Sequence, residues 1–437
     1  MTPREAEAAV AGRRAGGIKP GLARMEQGLA LLGHPEEALR VVHIAGTNGK
    51  GSTARMIQAA ATACGVRTGL YTSPAVTGLR DTITVDGVPI PGEAFAALAE
   101  ELIALESQLD GGDAFSEFEL TTLLALSYFA REGAELCVVE CGMGGRGDAT
   151  DVFRAPLAAV LTPVALDHTA WLGSTIGEIA AHKCGIIKAP CAVVTAPDQA
   201  PEALGAIYEA AAAQGLTVRQ PAAAAAPILE AGWGRTVFAY RGRRYALPLT
   251  GAYQRDNALT ALETLDCLRE KGYPLPEERV AEGLASVSMP CRQEAVRREP
   301  LVILDGAHNP HGAAALAGTL RLLLPPGAPL TAVLGMLEDK DAGGYLAEVA
   351  PLCARIVCCR PDNPRAREAV SLAAEAGRFC PDVRAVAAPR EALRLARVLA
   401  GEDPLLVAGS FYLAAAVRPL FLPPRESSDD PFEERKE

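Results

Sequence analysis

Short apolar runs and longer amphipathic stretches alternate along most of the chain, the pattern of parallel α/β architecture. Val41–Ala45, Leu136–Glu140, Ala158–Leu161 and Ala192–Thr195 are nearly continuous apolar runs of strand length, as expected of strands buried on both faces. Helices are expected between them, over 92–109 and 121–132. Across 217–250 the texture changes: TVFAYRGRRYALPL alternates apolar and polar positions about a turn and predicts a small antiparallel hairpin. A second α/β series follows Pro300, with strands expected at Leu301–Leu304, 331–334, 355–359 and Leu405–Ala408. Pro and charge in MPCRQEAVRREP interrupt the periodicity and put a domain boundary near 290–298. The expected fold class is therefore α/β. A P-loop-type, mostly parallel sheet occupies 1–292, a Rossmann-like α/β domain 293–422, and a polar tail 423–437.

Composition narrows the function more than the fold. A chain of 437 residues has material for two or three domains, and 49% apolar with 22% charged residues excludes wholesale disorder. The 42 Lys+Arg against 53 Asp+Glu give a formal charge of −11, which disfavours a non-specific nucleic-acid binder and leaves room for a local anion pocket. No apolar run reaches the roughly 18 residues that a membrane span needs. The opening MTPREAEAAVAGRRAGG has charge and no apolar core, unlike a secretory signal. The 11 cysteines are irregularly spaced without a CxxC pair, and Cys137, Cys141, Cys267 and Cys358 sit inside apolar runs. A reduced, cytoplasmic, monomeric protein with neither nucleic-acid nor membrane partners is expected.

The most informative segment is VVHIAGTNGKGST, residues 41–53. A buried strand runs into a glycine-rich turn and then into a helix starting near Lys50, which aims unpaired N–H groups and a positive helix end at one point. Thr47, Asn48, Gly49, Lys50, Gly51 and Ser52 are thus candidate ATP ligands. Glycines admit the anion, Lys50 brings charge, and a hydroxyl can reach a phosphate-bound Mg²⁺. The usual P-loop pattern is not met in full, since Ile44 and Gly51 stand where it has Gly and Ser or Thr. Glu140 ends the run LCVVE ahead of the glycine-rich CGMGGRGD, at the sheet edge where open α/β folds bind ligands; a strand-end charge facing water is the plainer alternative.

AGTNGKGS resembles the nucleotide loop of the Mur-ligase superfamily, and its GKG form resembles the folylpolyglutamate synthase/dihydrofolate synthase branch. Motifs spread from about Gly17 to Leu413 carry the same resemblance in the family's order. YTSP (71–74) resembles its SP motif, which implies that Ser73 binds magnesium. The resemblance likewise makes Glu140 a Mg²⁺ ligand. LDHTAWLG (166–173) implies His168 on a second magnesium. HKCGIIK (182–188) resembles EKAGI, with His182 for Glu and Cys184 for Ala, and implies a carbamylated Lys183 beside that metal. Two Mg²⁺ sites, with a monovalent cation as a further candidate, belong to this reading.

IKPGLARM (18–25) resembles the segment near the dihydropteroate site, implicating Ile18 and Lys19. FELTT (118–122) resembles FExxT and implies a pterin contact for Phe118, with Thr122, Arg146 and Asp148 also assigned to substrate; Glu119 equally suits the first turn of a helix. AYQRDNA (252–258) implies Asn257 on ATP, although Asp256 or Asn257 also suits a helix cap. MPCR (289–292) resembles PGR with Cys291 for Gly, which implies Arg292 on the phosphates. LDGAHNPH (304–311) implies Asp305 and His308 orienting ribose and incoming glutamate, while GMLEDKD (335–341) and AGSFY (408–412) resemble two further signatures. After Ser73 the chain departs from the family: Ala75-Val76 replaces His-Leu, and Asp81-Thr82 replaces Glu-Arg, with Arg80 one position earlier.

The resemblance implies an ATP-dependent ligase that joins L-glutamate to 7,8-dihydropteroate, to the γ-carboxylate of reduced folates, or to both, through an acyl phosphate. Lys183, His168, Asp305 and His308 are its candidate catalytic residues. The rivals are a Mur-type ligase acting on a cell-wall peptide precursor and a nucleotide-binding switch without ligase chemistry.

Overall fold

The computed structural model describes residues 1–13 and 21–422. Ile18, Lys19 and the polar tail lie outside the described residues. Eight strands build the first sheet: β1 (Val41–Ala45), β2 (Thr68–Tyr71), β3 (Ile83–Val85), β4 (Val88–Pro89), β5 (Leu136–Glu140), β6 (Ala158–Leu161), β7 (Ala192–Thr195) and β8 (Val218–Arg219). Their order is β4-β3-β2-β5-β1-β6-β7-β8, parallel from β2 to β8 and antiparallel at the β3 and β4 edge.

Every residue of β1 and β5 is buried, and alternate side chains serve two cores. Val42, Ile44 and Val138 pack with the helices Lys50–Ala63 and Ala252–Glu270, while Val41 and Val139 pack with Gly92–Leu105 and Glu117–Arg131. From β1 the chain crosses to one side of the sheet, and from β5 to the other. The reversal puts a topological switch point at the C-terminal ends of β1 and β5, where such folds hold ligands.

The small sheet has three antiparallel strands, β9 (Ile228–Gly232), β10 (Arg235–Tyr240) and β11 (Arg243–Leu247), one more than the expected hairpin. Phe238 and Tyr245 stack with ring centroids 5.4 Å apart and join the first core. Six strands form the last sheet: β12 (Glu294–Arg298), β13 (Leu301–Leu304), β14 (Leu330–Leu334), β15 (Cys353–Cys358), β16 (Val383–Ala385) and β17 (Leu405–Ala408). Their order is β12-β13-β17-β14-β15-β16, with only β12 antiparallel to its neighbour. The fold is α/β, a mostly parallel N-terminal sheet followed by a mixed C-terminal one.

Departures from the expected elements have local causes. Residues 294–298, read as an interruption, are an edge strand whose exposed Arg297 and Arg298 discourage further pairing. The helix expected over 92–109 ends at Leu105, and Glu106 accepts from Phe115 N at 2.9 Å and pairs with Arg13. The helix expected from 121 starts at Glu117, because Ser116 and Glu119 form a capping box. All 11 cysteines are free, and all but Cys64 are buried. Among the described residues no helix is long and apolar enough to cross a membrane.

Candidate active site

The glycine-rich turn is braced before the helix begins. Thr47 N and Asn48 N donate to Pro163 O at 2.9 and 3.2 Å, and Thr47 Oγ1 lies 3.0 Å from both Ala165 O and Ala165 N. Gly49 has φ +84°, and a Cβ there would stand 2.4 Å from Asn257 Oδ1, so only glycine serves. Asn257 is itself buried and donates to Gln254 Oε1 at 3.0 Å. The first helical bond runs from Thr53 N to Gly49 O (2.9 Å), which leaves the amides of Lys50, Gly51 and Ser52 ahead of the ladder. Amides outside the helical ladder therefore stand where the sequence leads one to expect an anion cradle.

Glu140 lies against that helix. Gly51 faces it so closely that a Cβ would be 3.0 Å from Glu140 Oε2, which also accepts from Ser73 N at 3.2 Å. Lys50 Nζ is 3.9 Å from Glu140 Oε1. Burial raises the pKa of Glu140, opposed by Lys50, the Ser73 amide, Arg292 and Arg55. A desolvated carboxylate with one protein donor fits a hard divalent cation, and the plainer alternative of a water-facing strand end does not hold, because the residue is 3% exposed.

Lys183 and His168 complete this side. Lys183 is 3% exposed and donates to Gly46 O at 2.9 Å. Burial, reinforced by Lys50, lowers its pKa to about 7, so a neutral amine is accessible. As an ammonium it would repel a cation, and it fits a metal only after carbamylation. His168 has φ +51°, uncommon for a residue with a side chain, and its amide donates to Asp167 Oδ1 at 2.8 Å. Burial and then Lys340 lower its pKa to about 4, leaving a neutral imidazole able to bind metal at neutral pH.

The C-terminal half reaches the same place. Asp167 Oδ1 accepts from Lys340 Nζ at 2.6 Å, and Asp167 Oδ2 from Asn309 Nδ2 at 3.2 Å. Asn309 also bonds Asn48 of the glycine turn through both amides, at 3.2 and 3.3 Å, and Asn48 Nδ2 lies 2.9 Å from His311 Nδ1. Burial pushes the Asp167 carboxyl up, but His308, Lys340 and His168 around it hold it far below the usual carboxylate range. His308 Nδ1 lies 2.9 Å from Gly306 O, which leaves Nε2 turned to Asp167 at 3.7 Å. Asp305 is buried and accepts from Gln293 N (3.0 Å) and Ala307 N (2.8 Å), fixing the end of β13. Arg292 lies 4.1 Å over the Phe411 ring.

The residues assigned to the pterin form a separate cluster around the loop after Glu140. Phe118 stacks on Tyr71 at 5.9 Å and presses on Gly142, and Asp148 Oδ2 accepts from Met143 N at 2.8 Å. Thr122 is fully buried, with its hydroxyl bonded to Phe118 O (2.7 Å) and Tyr71 OH (3.3 Å), so it supports the aromatic pair from behind. The Arg146 side chain is exposed, while its amide donates to His182 O at 3.0 Å. Arg80 is tied to Glu7 at 2.8 Å. Sequence reasoning left Arg55 unassigned, as well as Asp167, Asn309 and Lys340, which stand inside quoted motifs. Their roles depend on contacts more than 100 residues away, for which no local spacing is a signal.

Residues 44–265 match the Mur ligase middle domain, and residues 291–411 the Mur ligase glutamate ligase domain. The chain is 36% identical to the dihydrofolate synthase/folylpolyglutamate synthase of Mycobacterium tuberculosis, over 92% of this chain and 90% of that one. It resembles the structure of M. tuberculosis folylpolyglutamate synthase complexed with ADP and AMPPCP at a TM-score of 0.87 and 34% identity, covering 96% and 99% of the two chains. It also resembles Escherichia coli FolC in complex with DHPP and ADP, at a TM-score of 0.83 and 30% identity over 96% and 97%.

Proposed function

The chain belongs to the dihydrofolate synthase/folylpolyglutamate synthase family of Mur ligases, and on that premise we propose that it joins L-glutamate to 7,8-dihydropteroate, to the γ-carboxylate of reduced folates, or to both, at the expense of ATP. What carries the proposal for this site is the Asn48–Asn309 and Asp167–Lys340 contact, which sets the glycine turn against the C-terminal AHNP and DKD segments.

The chemistry needs no protein nucleophile. A substrate carboxylate attacks the γ-phosphorus of ATP, ADP leaves, and an acyl phosphate forms. The amine of glutamate, having lost its ammonium proton, then attacks the acyl carbon and expels phosphate. Thr47, Asn48, Gly49, Lys50, Gly51 and Ser52 cradle the phosphates, Asn257 and Arg292 hold the nucleotide, and Asp305 orients ribose. His308 orients the incoming glutamate. Ser73 and Glu140 would hold one Mg²⁺, and His168 and carbamylated Lys183 a second, with a monovalent cation as a further occupant. When bound, the metal neutralises charge on the transferring phosphoryl group and the carboxylate. Phe118 offers its face to the pterin, with Asp148 and Arg146 beside it and Ile18 and Lys19 on the N-terminal segment. Residues 1–292 then form the ATP- and pterin-binding unit and 293–422 the ligase domain, in a monomer working in the cytoplasm without nucleic-acid or membrane partners.

The test is ADP release from the purified protein with Mg²⁺ and ATP, with dihydropteroate and tetrahydrofolate compared side by side and products identified by mass. Glutamate-dependent release with an amide product is expected. ATP hydrolysis indifferent to glutamate would favour the nucleotide switch, and silence with both substrates would move the chemistry off folates.

A further inference from the structure

Arg55 stands on the phosphate-binding helix, one turn beyond Gly51 and just short of Gln58. The positions 51, 55 and 58 share a helix face. Gly51 faces Glu140 Oε2, while Gln58 donates to Thr84 Oγ1 of β3 at 2.8 Å. Arg55 therefore lies between the end of β5 and the start of β3, beside the 74–82 segment, and its partly enclosed side chain feels the charges of Glu140 and Asp81.

Its guanidinium makes no hydrogen bond or ion pair with any described residue. A partly enclosed arginine whose five donors meet no protein acceptor can offer them all to a ligand. The neighbouring cations are already engaged: Arg80 with Glu7, Arg418 with Glu294 at 2.7 Å, Arg292 on the Phe411 ring, and Lys50 beside Glu140 at the mouth of the glycine turn. Thr82, standing where the family has arginine, spends its hydroxyl on Leu79 O at 2.6 Å. A planar carboxylate matches the fork of a guanidinium in both charge and shape.

Resting on the ligase reading above, we propose that Arg55 binds the substrate carboxylate that is to be phosphorylated, drawing it in beside Glu140. Beyond the charge that a metal on Ser73 and Glu140 would neutralise, an incoming carboxylate needs a directional donor to hold it. Arg55 supplies it without competing with the glycine turn for phosphate.

The test compares Arg55→Gln and Arg55→Lys with the wild type in glutamate-dependent ADP release, using dihydropteroate and tetrahydrofolate, alongside binding of a fluorescent ADP analogue. Inhibition by the carboxamide of dihydropteroate is measured in parallel. Arg55→Gln is expected to raise KM for both acids about tenfold or more, with Arg55→Lys intermediate. ADP affinity, KM for glutamate and the inhibition constant of the carboxamide stay within about twofold, which also shows the variant to be folded. Unchanged KM for the acids overturns the inference, and so does a loss of ADP affinity as large as the loss for the acids. A wild type silent with both acids fails the functional reading instead, whereas an active wild type with an unaltered Arg55→Gln variant fails only this inference.

Discussion

Lys183 is where burial does chemical work. An exposed lysine is almost wholly charged at neutral pH and reacts slowly with CO₂, but enclosure against Gly46 O, with Lys50 nearby, brings its pKa to about 7. A neutral amine attacks CO₂ to form the N–C bond of a carbamate and gives up a proton, so a cation becomes an anion in place. The neutral fraction, and with it the capacity for carbamylation, rises as pH passes about 7. In ¹³C-bicarbonate the wild type is expected to show a carbamate carbon resonance that Lys183→Ala lacks. The variant should lose nearly all ligase activity and regain part of it with short carboxylic acids, which fill the vacated space with an anion. Full activity of Lys183→Ala would remove this residue from the metal site. The helix Ile176–Lys183 that carries Lys183 opens on a capping box of Thr175 and Glu178, away from the departures His182 and Cys184 at its other end.

At the scale of elements, β1 and the loop after β5 are held together by a buried polar cluster. His43 Nε2 lies 2.8 Å from Thr150 Oγ1 and 3.1 Å from Cys141 Sγ, and Thr150 Oγ1 donates to Asp148 Oδ1 at 2.6 Å. Burial and then Lys188 lower the His43 pKa from 6.5 to about 3, so the folded state holds it neutral. Between those values the unfolded chain binds the extra proton. The group's contribution is therefore complete above pH 6.5 and declines as pH falls toward about 3, by up to about 1.4 kcal/mol per pH unit. His43→Gln keeps a hydrogen-bonding group without the titration, and its urea-unfolding free energy should fall less steeply than the wild type's between about pH 6.5 and pH 5. Parallel pH dependences would rule the cluster out as a proton-linked brace. Strands such as β1 and β5 were legible because both faces are buried and their apolar runs are unbroken. β12 and β16 were not, because an edge strand carries charge and a three-residue strand has no period. The glycine turn was legible because its chemistry is local. A motif position says less about direction: nothing local to Thr122 tells that its hydroxyl turns back to Phe118 O and Tyr71 OH.

Across the whole molecule, the two halves meet through a pair that is closed to solvent. The side chains of Asp167 and Lys340 are 8% and 7% exposed, and their contact joins residues 173 positions apart. A buried pair gives little net stability compared with an apolar pair, yet removing one partner strands the other's charge at a cost of about 3–5 kcal/mol. Here the molecule has an escape that a core does not: parting the halves returns Asp167 to water. The cost of Lys340→Met should therefore appear as an opened molecule, and about 3 kcal/mol is about a hundredfold in the closed-to-open ratio. The expected outcome is a larger radius of gyration in small-angle scattering, a thermal midpoint close to the wild type's, and kcat/KM lowered about tenfold or more because both halves supply the site. Adding Asp167→Asn removes the stranded charge and keeps an amide able to face Asn309, so scattering from the double variant should move back toward the wild-type curve. Screening by salt should leave the wild type nearly unchanged, since a pair this deep is shielded from mobile ions. If Lys340→Met scatters like the wild type, Asn48–Asn309 and the apolar contacts alone hold the halves together, and the ion pair has no part in closure.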